Sequence, residues 1–180
     1  MTSFIDTHCH LDKLDSTPER AVKEAKDAGV KKMLTISVDE LSLDFVSNAV
    51  RQFPEVYGSL GFHPHDATVM NESLEEKIRQ LAQEEDKIIA IGETGLDYHY
   101  LYSPVEIQQQ VFRKQLILAE ELKLPVVMHS REAEVDTMNI LKEIPVKSLG
   151  VAHSFTSSFK MARKLVEMGW YIGINGIVTF

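Results

Sequence analysis

The sequence predicts an α/β fold of the TIM type, a (β/α)₈ barrel that stops after about its seventh strand. Three observations support this prediction. Seven short and almost continuous apolar runs alternate with stretches of helical periodicity, as in a parallel sheet covered by helices. Residues capable of chemistry follow four of these runs, where a barrel builds its active face. The length of 180 residues has room for one sizeable domain, so we expect residues 1–180 to form a single domain.

The strands are predicted from the apolar runs, and each is short enough for a buried parallel strand. In chain order they are Phe4–Ile5, Met33–Ile36, Val56–Leu60, Ile88–Ile91, Val126–Met128, Leu149–Ala152 and Tyr171–Ile174. The seventh is followed only by the segment that ends at Phe180, with no eighth strand or closing helix. Because unpaired strand edges are a liability, we expect this chain to be a shortened form of a longer protein.

The helices between these strands are predicted from their end signals and apolar spacing. The first starts after Thr17 with Pro18 in its first turn and ends near Gly29. The third and fourth are predicted to open with Ser-x-x-Glu capping boxes at Ser73 and Ser103. The second and sixth helices are predicted from apolar residues at helical spacing; they are Leu41, Phe45, Val46, Ala49 and Phe53, and Phe159, Ala162, Leu165 and Val166.

Composition restricts the classes of function that fit this chain. The sequence has 19 basic and 27 acidic residues, a net charge of −8, so a phosphate-bearing substrate must be met by local cations. One cysteine cannot form an intramolecular disulfide, which suits a reducing compartment. No signal peptide and no run of about 18 apolar residues is visible. We therefore expect a cytoplasmic protein with no membrane partner.

Four predicted strands are followed by residues that can bind metal. They are His8 and His10 after the first strand, Glu93 after the fourth, His129 after the fifth and His153 after the sixth. The carboxyl ends of parallel barrel strands share one face, and residues i and i+2 of a strand point the same way. We therefore expect these five side chains to meet in one pocket, with Cys9 directed elsewhere.

Imidazoles and a carboxylate suit Zn²⁺ or a similar divalent ion. Five ligands exceed the roughly three of an open catalytic zinc site, which favours two ions bridged by Glu93. Such a pair would lower the pKa of a shared water to near 7 and make this chain a hydrolase. Taken singly, each residue has a structural alternative: a histidine can be a hydrogen-bonded core residue, Glu93 a cap, and Gly92 and Gly95 turn residues.

Five segments resemble, in the same order over the whole chain, the motifs of the TatD family of metal-dependent hydrolases in the amidohydrolase-like barrel class. The segments are residues 4–12, 61–65, 92–97, 125–131 and 153–155. The resemblance implies a cytoplasmic deoxyribonuclease, often a 3′-to-5′ exonuclease, that acts on DNA with two divalent ions, zinc, magnesium or manganese. It also implies a set of metal ligands in which Glu93 bridges the ions and is catalytic: His8, His10, Glu93, His129 and His153.

The sequence departs from the family pattern at two places. Ser154 stands where the family usually has cysteine, and we expect little consequence. The family's final ligand is an Asp in a Glu-Thr-Asp context after the eighth strand, a position that would lie past Phe180. Loss of that carboxylate would weaken one metal site and remove a base for the attacking water.

Three further residues are candidates for substrate contact. His63 and His65 follow the third strand, and the alternative is a loop shaped by Pro64 in which both are hydrogen-bonded. Arg131 can bind phosphate through its planar fork, and the alternative is an ion pair with Glu132 or Glu134. The aromatic residues of the segment 97–102 can stack on bases or pack within their loop.

Two other functions remain open from the sequence. The first is hydrolysis of a small amide or ester, but amidohydrolases of that kind often bridge their metals with a modified Lys after the fourth strand. Here Glu93 holds that position, and the nearest lysine, Lys87, lies at the other end of the strand. The second is a non-catalytic shortened chain that keeps its metal and partner surfaces. The oligomeric state is not predicted.

Overall fold

The fold was analysed in a computed structural model, which describes residues 3–180. Seven parallel strands pair in chain order in one sheet, with a helix between each strand and the next, so the predicted barrel-type α/β fold is confirmed. The strands are β1 (Phe4–Cys9), β2 (Val30–Ile36), β3 (Val56–Leu60), β4 (Ile88–Asp97), β5 (Val126–Arg131), β6 (Gly150–Ala152) and β7 (Tyr171–Ile172). The helices are α1 (Pro18–Asp27), α2 (Glu40–Gln52), α3 (Glu72–Glu84), α4 (Val105–Leu122), α5 (Glu134–Glu143) and α6 (Phe159–Glu167), with 3₁₀ helices at Pro64–Val69 and Gly176–Thr179.

The main hydrophobic core lies between the sheet and its helices. Leu43 of α2 and Phe112 and Leu116 of α4 are fully buried in it. A second, smaller cluster contains Ile36, Ala90 and Val127. Because successive strand residues point to opposite faces, Ala90 and Val127 alternate with residues of the main core, and the strands are apolar on both faces.

Strand β4 is longer than its apolar run predicted, because two glycines allow it to continue alongside β5. Gly92 and Gly95 have φ angles of +134° and +143°, which side-chain-bearing residues rarely adopt. A Cβ atom at Gly95 would lie 1.9 Å from the carbonyl oxygen of His129, and one at Gly92 would lie 2.3 Å from that of Val127. These glycines are therefore strand residues in close contact with β5, and Glu93 lies within the strand instead of after it.

The helix starts agree with the sequence for α1 but not for α3 and α4. The Thr17 side chain accepts a hydrogen bond from the backbone N–H of Arg20, as an N-cap does. Helix α3 begins earlier than predicted and is capped by Asn71, and α4 has no side-chain cap. Both predicted capping boxes are wrong: Ser73 lies inside α3, and Ser103 is buried and donates its hydroxyl to the carbonyl of His65.

Helices α2 and α6 are present as predicted, but only part of their apolar residues is buried. Leu41 and Phe159 lie at helix starts and are 85% and 84% exposed, while Leu43 and Met161 are buried. Apolar spacing identifies the apolar stripe of a helix. Which residues of that stripe are buried depends on where the helix packs against the sheet.

Strands β1 and β7 form the two edges of the sheet. Phe4 and Ile5 of β1 and Tyr171 of β7 remain largely exposed. Residues 3–180 contain no eighth strand. None of the helices in this range has the length and apolarity that crossing a membrane would require.

Candidate metal centre

The candidate site lies at the carboxyl ends of the strands. His8 is in β1, Glu93 in β4 and His129 in β5, while His10 and His153 follow β1 and β6 directly. The parallel arrangement brings these five side chains to one face of the sheet because every strand runs in the same direction.

One oxygen of Glu93 faces two histidines, His8 in β1 and His10 directly after it. The Nε2 atoms of His8 and His10 lie 3.3 and 3.9 Å from Glu93 Oε2, and they lie 3.2 Å from each other. His10 Nδ1 lies 3.1 Å from the carbonyl oxygen of Ile36, to which it donates, so the Nε2 lone pair of a neutral ring is directed toward His8 and Glu93. These three side chains form one group of donors that could hold a metal ion.

The other oxygen of Glu93 faces a different pair of histidines. His129 Nδ1 lies 3.2 Å from Glu93 Oε1, and His63 Nε2 lies 3.9 Å from the same oxygen. This is the second group of potential donors within residues 3–180. Glu93 therefore belongs to both groups, with one carboxylate oxygen directed at each.

His153 joins the cluster through a ring contact. Its imidazole is stacked on that of His8, with the ring centroids 3.3 Å apart and the planes 9° apart. Neither of the two donor groups found within residues 3–180 includes His153. The structure thus brings all five predicted residues together. His8, His10, His129 and Glu93 belong to a donor group, whereas His153 only contacts the ring of His8.

Asp97 is a site residue that the sequence analysis missed. Its carboxylate is buried, and Oδ2 lies 3.0 Å from His129 Nε2 and 3.1 Å from His65 Nε2. A carboxylate behind a metal-binding histidine sets the ring orientation and the position of its proton. Without an ion, His129 donates to both carboxylates, through Nδ1 to Glu93 and through Nε2 to Asp97; with an ion bound, Asp97 would hold the remaining proton on Nε2 and leave Nδ1 as the ligand. The signal was present, because Glu93 and Asp97 are four residues apart on one face of β4.

The pKa values in the cluster follow from burial and from the carboxylates. Burial lowers the pKa of His63 to about 3 and that of His153 to about 4, so both rings are neutral at pH 7, as metal binding requires of histidine. Burial alone would raise the pKa of Glu93, but hydrogen bonds with His129 and His8 outweigh it and hold that pKa well below its usual range. Burial also opposes the charge on His129, yet its contacts with Glu93 and Asp97 raise its pKa overall.

The donor set fits divalent ions in its chemistry and its spacing. Two groups of three side chains share Glu93, and the potential ligand atoms of each group lie within 4.8 Å of one another. Imidazole and carboxylate together are the ligands that zinc and similar first-row ions prefer.

The three predicted substrate residues lie beside this cluster. His63 Nδ1 accepts the backbone N–H of His65 at 3.2 Å, so the neutral ring carries its proton on Nε2, toward Glu93. His65 donates to Asp97. Arg131 lies over the ring of Tyr100 at 4.8 Å and forms no ion pair within residues 3–180. Its two expected partners are engaged elsewhere, Glu132 with His99 and Glu134 with Ser158.

Known proteins resemble this chain along its whole length. A family model described as TatD related DNase matches residues 5–180. The chain belongs to the TatD family. It is 37% identical to the uncharacterized metal-dependent hydrolase YabD of Bacillus subtilis, over 98% of this chain and 70% of that protein.

Solved TatD structures agree with the fold described above. The crystal structure of YjjV, a TatD homolog from Escherichia coli, superimposes with a TM-score of 0.91 at 30% identity, covering 98% of this chain and 70% of that one. A hydrolase TatD family protein from Entamoeba histolytica gives a TM-score of 0.83 at 23% identity, over 96% of this chain and 64% of that one, which supports the fold. This TatD family member is therefore a metal-dependent hydrolase by family, with seven strands of the barrel in residues 3–180.

Proposed function

We propose that this chain hydrolyses phosphodiester bonds of DNA with two divalent metal ions, zinc, magnesium or manganese, bridged by Glu93. The observation that carries the proposal is the position of the Glu93 carboxylate, whose Oε2 faces His8 and His10 while Oε1 faces His129. A carboxylate that served a single ion or a salt bridge would not need histidine groups on both of its oxygens. The family description, TatD related DNase, supports DNA as the substrate class.

The residues of the site take separate roles in this proposal. His8 and His10 would hold one ion with Glu93, and His129 would hold the other, with Asp97 behind it. His153 is assigned as a ligand by family resemblance and lies against the ring of His8. Two bound divalent ions supply Lewis acidity, which activates water for attack on phosphorus and neutralises charge on the phosphoryl oxygens.

The substrate is held by groups on this chain that carry protons toward it. His63 presents its Nε2–H beside Glu93, where it can donate to a phosphate oxygen. Arg131 offers a guanidinium that no carboxylate neutralises within residues 3–180. His65 supports the site from behind, through Asp97. These local donors suit a phosphodiester on a chain whose net charge is −8.

The position of Lys87 disfavours hydrolysis of amides by a modified lysine. Its Nζ donates to the carbonyl oxygens of Phe53, at 2.6 Å, and of Val50. These contacts lie at the amino end of β4, and Glu93 lies toward its carboxyl end. Lys87 therefore cannot bridge ions at the candidate metal centre.

The test is cleavage of end-labelled DNA by the metal-loaded chain and by its Glu93→Gln variant. We expect wild-type cleavage that stops when a chelator is added and a loss of about 100-fold or more in Glu93→Gln. Elemental analysis of the wild-type chain should give two ions per chain, and fewer in the variant. Circular dichroism checks that the variant is folded.

The matched control is Glu143→Gln, which changes an exposed carboxylate paired with Arg113 and should cleave like the wild type. DNA left intact while an amide or ester is hydrolysed in a Glu93-dependent way would overturn the choice of substrate. A folded chain that binds two ions and hydrolyses none of these compounds would overturn the activity itself.

A further inference from the structure

Two tyrosines in the loop after β4 present aromatic surface to solvent at the rim of the candidate metal centre. Tyr100 and Tyr102 are 41% and 70% exposed, with their rings 10° from parallel and the centroids 5.7 Å apart. We call this pair the tyrosine platform. Leu101 between them is also exposed. Three consecutive side chains of this loop therefore offer apolar surface to a ligand.

The tyrosine platform is in contact with both the metal centre and a free cation. The ring of His65 meets Tyr102 and Tyr100 edge-on, with centroids 4.8 and 5.8 Å apart, and His65 also donates to Asp97. The guanidinium of Arg131 lies 4.8 Å from the centroid of Tyr100. Aromatic faces and a cation are therefore adjacent. They are linked to Glu93 by two side chains in contact, since His65 touches His63 and His63 faces Glu93.

The platform is held in place by the same buried groups that organise the metal centre. Asp97 Oδ1 accepts the backbone N–H groups of His99 and Tyr100, at 3.0 and 2.8 Å. The N–H of Tyr102 donates to the carbonyl of Tyr100 at 2.9 Å. The buried Gln108 amide donates to the carbonyls of Asp97 and Ser103, both at 2.9 Å. The backbone that carries the two rings is thus held in place before a ligand arrives, which lowers the entropy cost of binding one.

We propose that the tyrosine platform stacks a nucleobase of the substrate while Arg131 contacts a neighbouring phosphate. This inference rests on the proposed function and adds how the substrate is selected. A flat aromatic face beside a cation matches a base next to a phosphate, whereas a simple phosphodiester or a small amide would leave the tyrosines uncovered. Stacking is also suited to a chain of net charge −8, because it adds affinity for a polyanion without further positive charge and tolerates any base.

The experiment compares an oligothymidylate strand with the same strand in which the nucleotides nearest the cleaved bond are abasic. For the wild type, we expect KM to be about tenfold lower on the intact strand, which is the size of one base-stacking contact. Tyr102→Ala should raise KM on the intact strand by about tenfold with little change in kcat. Tyr102→Ala should change KM on the abasic strand much less, because removing the tyrosine ring and removing the base eliminate the same stacking contact.

Two variants control for structure and for exposure. Tyr102→Phe keeps the aromatic face and should restore KM to within about twofold of the wild type. Tyr171→Ala removes a tyrosine that is 74% exposed on β7, away from the loop after β4, and should leave KM unchanged on both strands. An equal loss on intact and abasic strands, or no loss in Tyr102→Ala, would overturn the stacking role.

The failure of the proposed function would be seen separately. If the wild-type chain cuts neither strand in the presence of Mn²⁺, the activity is wrong, and fluorescence anisotropy of the same labelled strands then tests the platform by itself. The intact strand should bind about tenfold more tightly than the abasic strand. Equal binding of the two strands would overturn the platform.

Discussion

At the scale of single residues, the site depends on how each histidine is held as much as on which histidines are present. His10 is held by the carbonyl of Ile36 and His129 by the carboxylate of Asp97. Each contact orients the ring so that its other nitrogen lies on the side of Glu93, where an ion would bind. Glu93 and the histidines were predicted from the ends of apolar runs. Asp97 was not, because the apolar run ends at Ile91 and did not show that β4 continues to Asp97, so the spacing between Glu93 and Asp97 was not recognised as one face of a strand.

The substitution Asp97→Asn tests this positioning role. The asparagine Oδ1 can still accept the N–H groups of His99 and Tyr100, but an N–H group would replace the oxygen that faces His129. His129 would then carry its proton on Nδ1, toward Glu93, and lose that lone pair as a ligand. We expect the affinity for one of the two ions to fall by about 10- to 100-fold while the chain stays folded. Titration calorimetry with Mn²⁺ measures both affinities.

The control for this substitution is Asp136→Asn, because the Asp136 carboxylate also accepts hydrogen bonds from two side chains, those of Tyr98 and Gln109. Asp136 lies outside both donor groups, so the Asp136→Asn chain should bind both ions with the affinities of the wild type. Two unchanged affinities in Asp97→Asn would show that Asp97 does not position His129.

At the scale of elements, helix α4 and strand β4 organise the site together. Gln115 of α4 donates to the carbonyl of Phe62 and the hydroxyl of Thr94, at 3.0 and 2.7 Å, and accepts the N–H of Phe62. Gln108, seven residues earlier on the same helix face, bonds to Asp97. A start signal predicted the helix, but it could not show that two glutamines would be buried, because only their partners on other elements make that favourable.

The close contact between β4 and β5 gives a prediction for the strand pair. Gly95→Ala should destabilise the chain by about 2–5 kcal/mol, because the added methyl would lie 1.9 Å from the backbone oxygen of His129 and the φ angle of +143° strains an alanine. Urea unfolding measures the change. Gly176→Ala is the matched control, since a Cβ there meets no atom within 4 Å, and it should change stability by less than about 0.5 kcal/mol. Equal stabilities of the two variants would contradict the packing described for β4.

At the scale of the whole molecule, the candidate metal centre joins segments that are distant in sequence. Its side chains come from β1, β4 and β5 and from the loops after β1, β3 and β6. An ion bound here would contact only the folded chain, because the unfolded chain does not hold these groups together. Metal binding should therefore stabilise the entire sheet instead of one loop.

Thermal unfolding with and without metal tests this linkage. At a free ion concentration about 100 times the dissociation constant, one bound ion adds about 2.7 kcal/mol, which corresponds to a rise in Tm of about 5–10 °C for a chain of this size. A chelator should reverse the rise. Glu93→Ala should lose most of it, while Glu143→Gln should keep it. A Tm that is independent of metal in the wild type would show that these side chains do not form a metal site in the folded chain.

The sequence by itself determined the alternation of strands and helices, the parallel order of the sheet and the metal-binding residue types at the strand ends. These follow from local periodicities and from the common direction of parallel strands, so no knowledge of distant contacts is needed. The tertiary structure decided that Glu93 faces two groups of histidines, that Asp97 and two glutamines support them, and that Tyr100 and Tyr102 stand beside Arg131. Those features depend on how closely two backbones approach and on strand register, such as the fit of Gly95 against His129, which is settled only when the elements pack together.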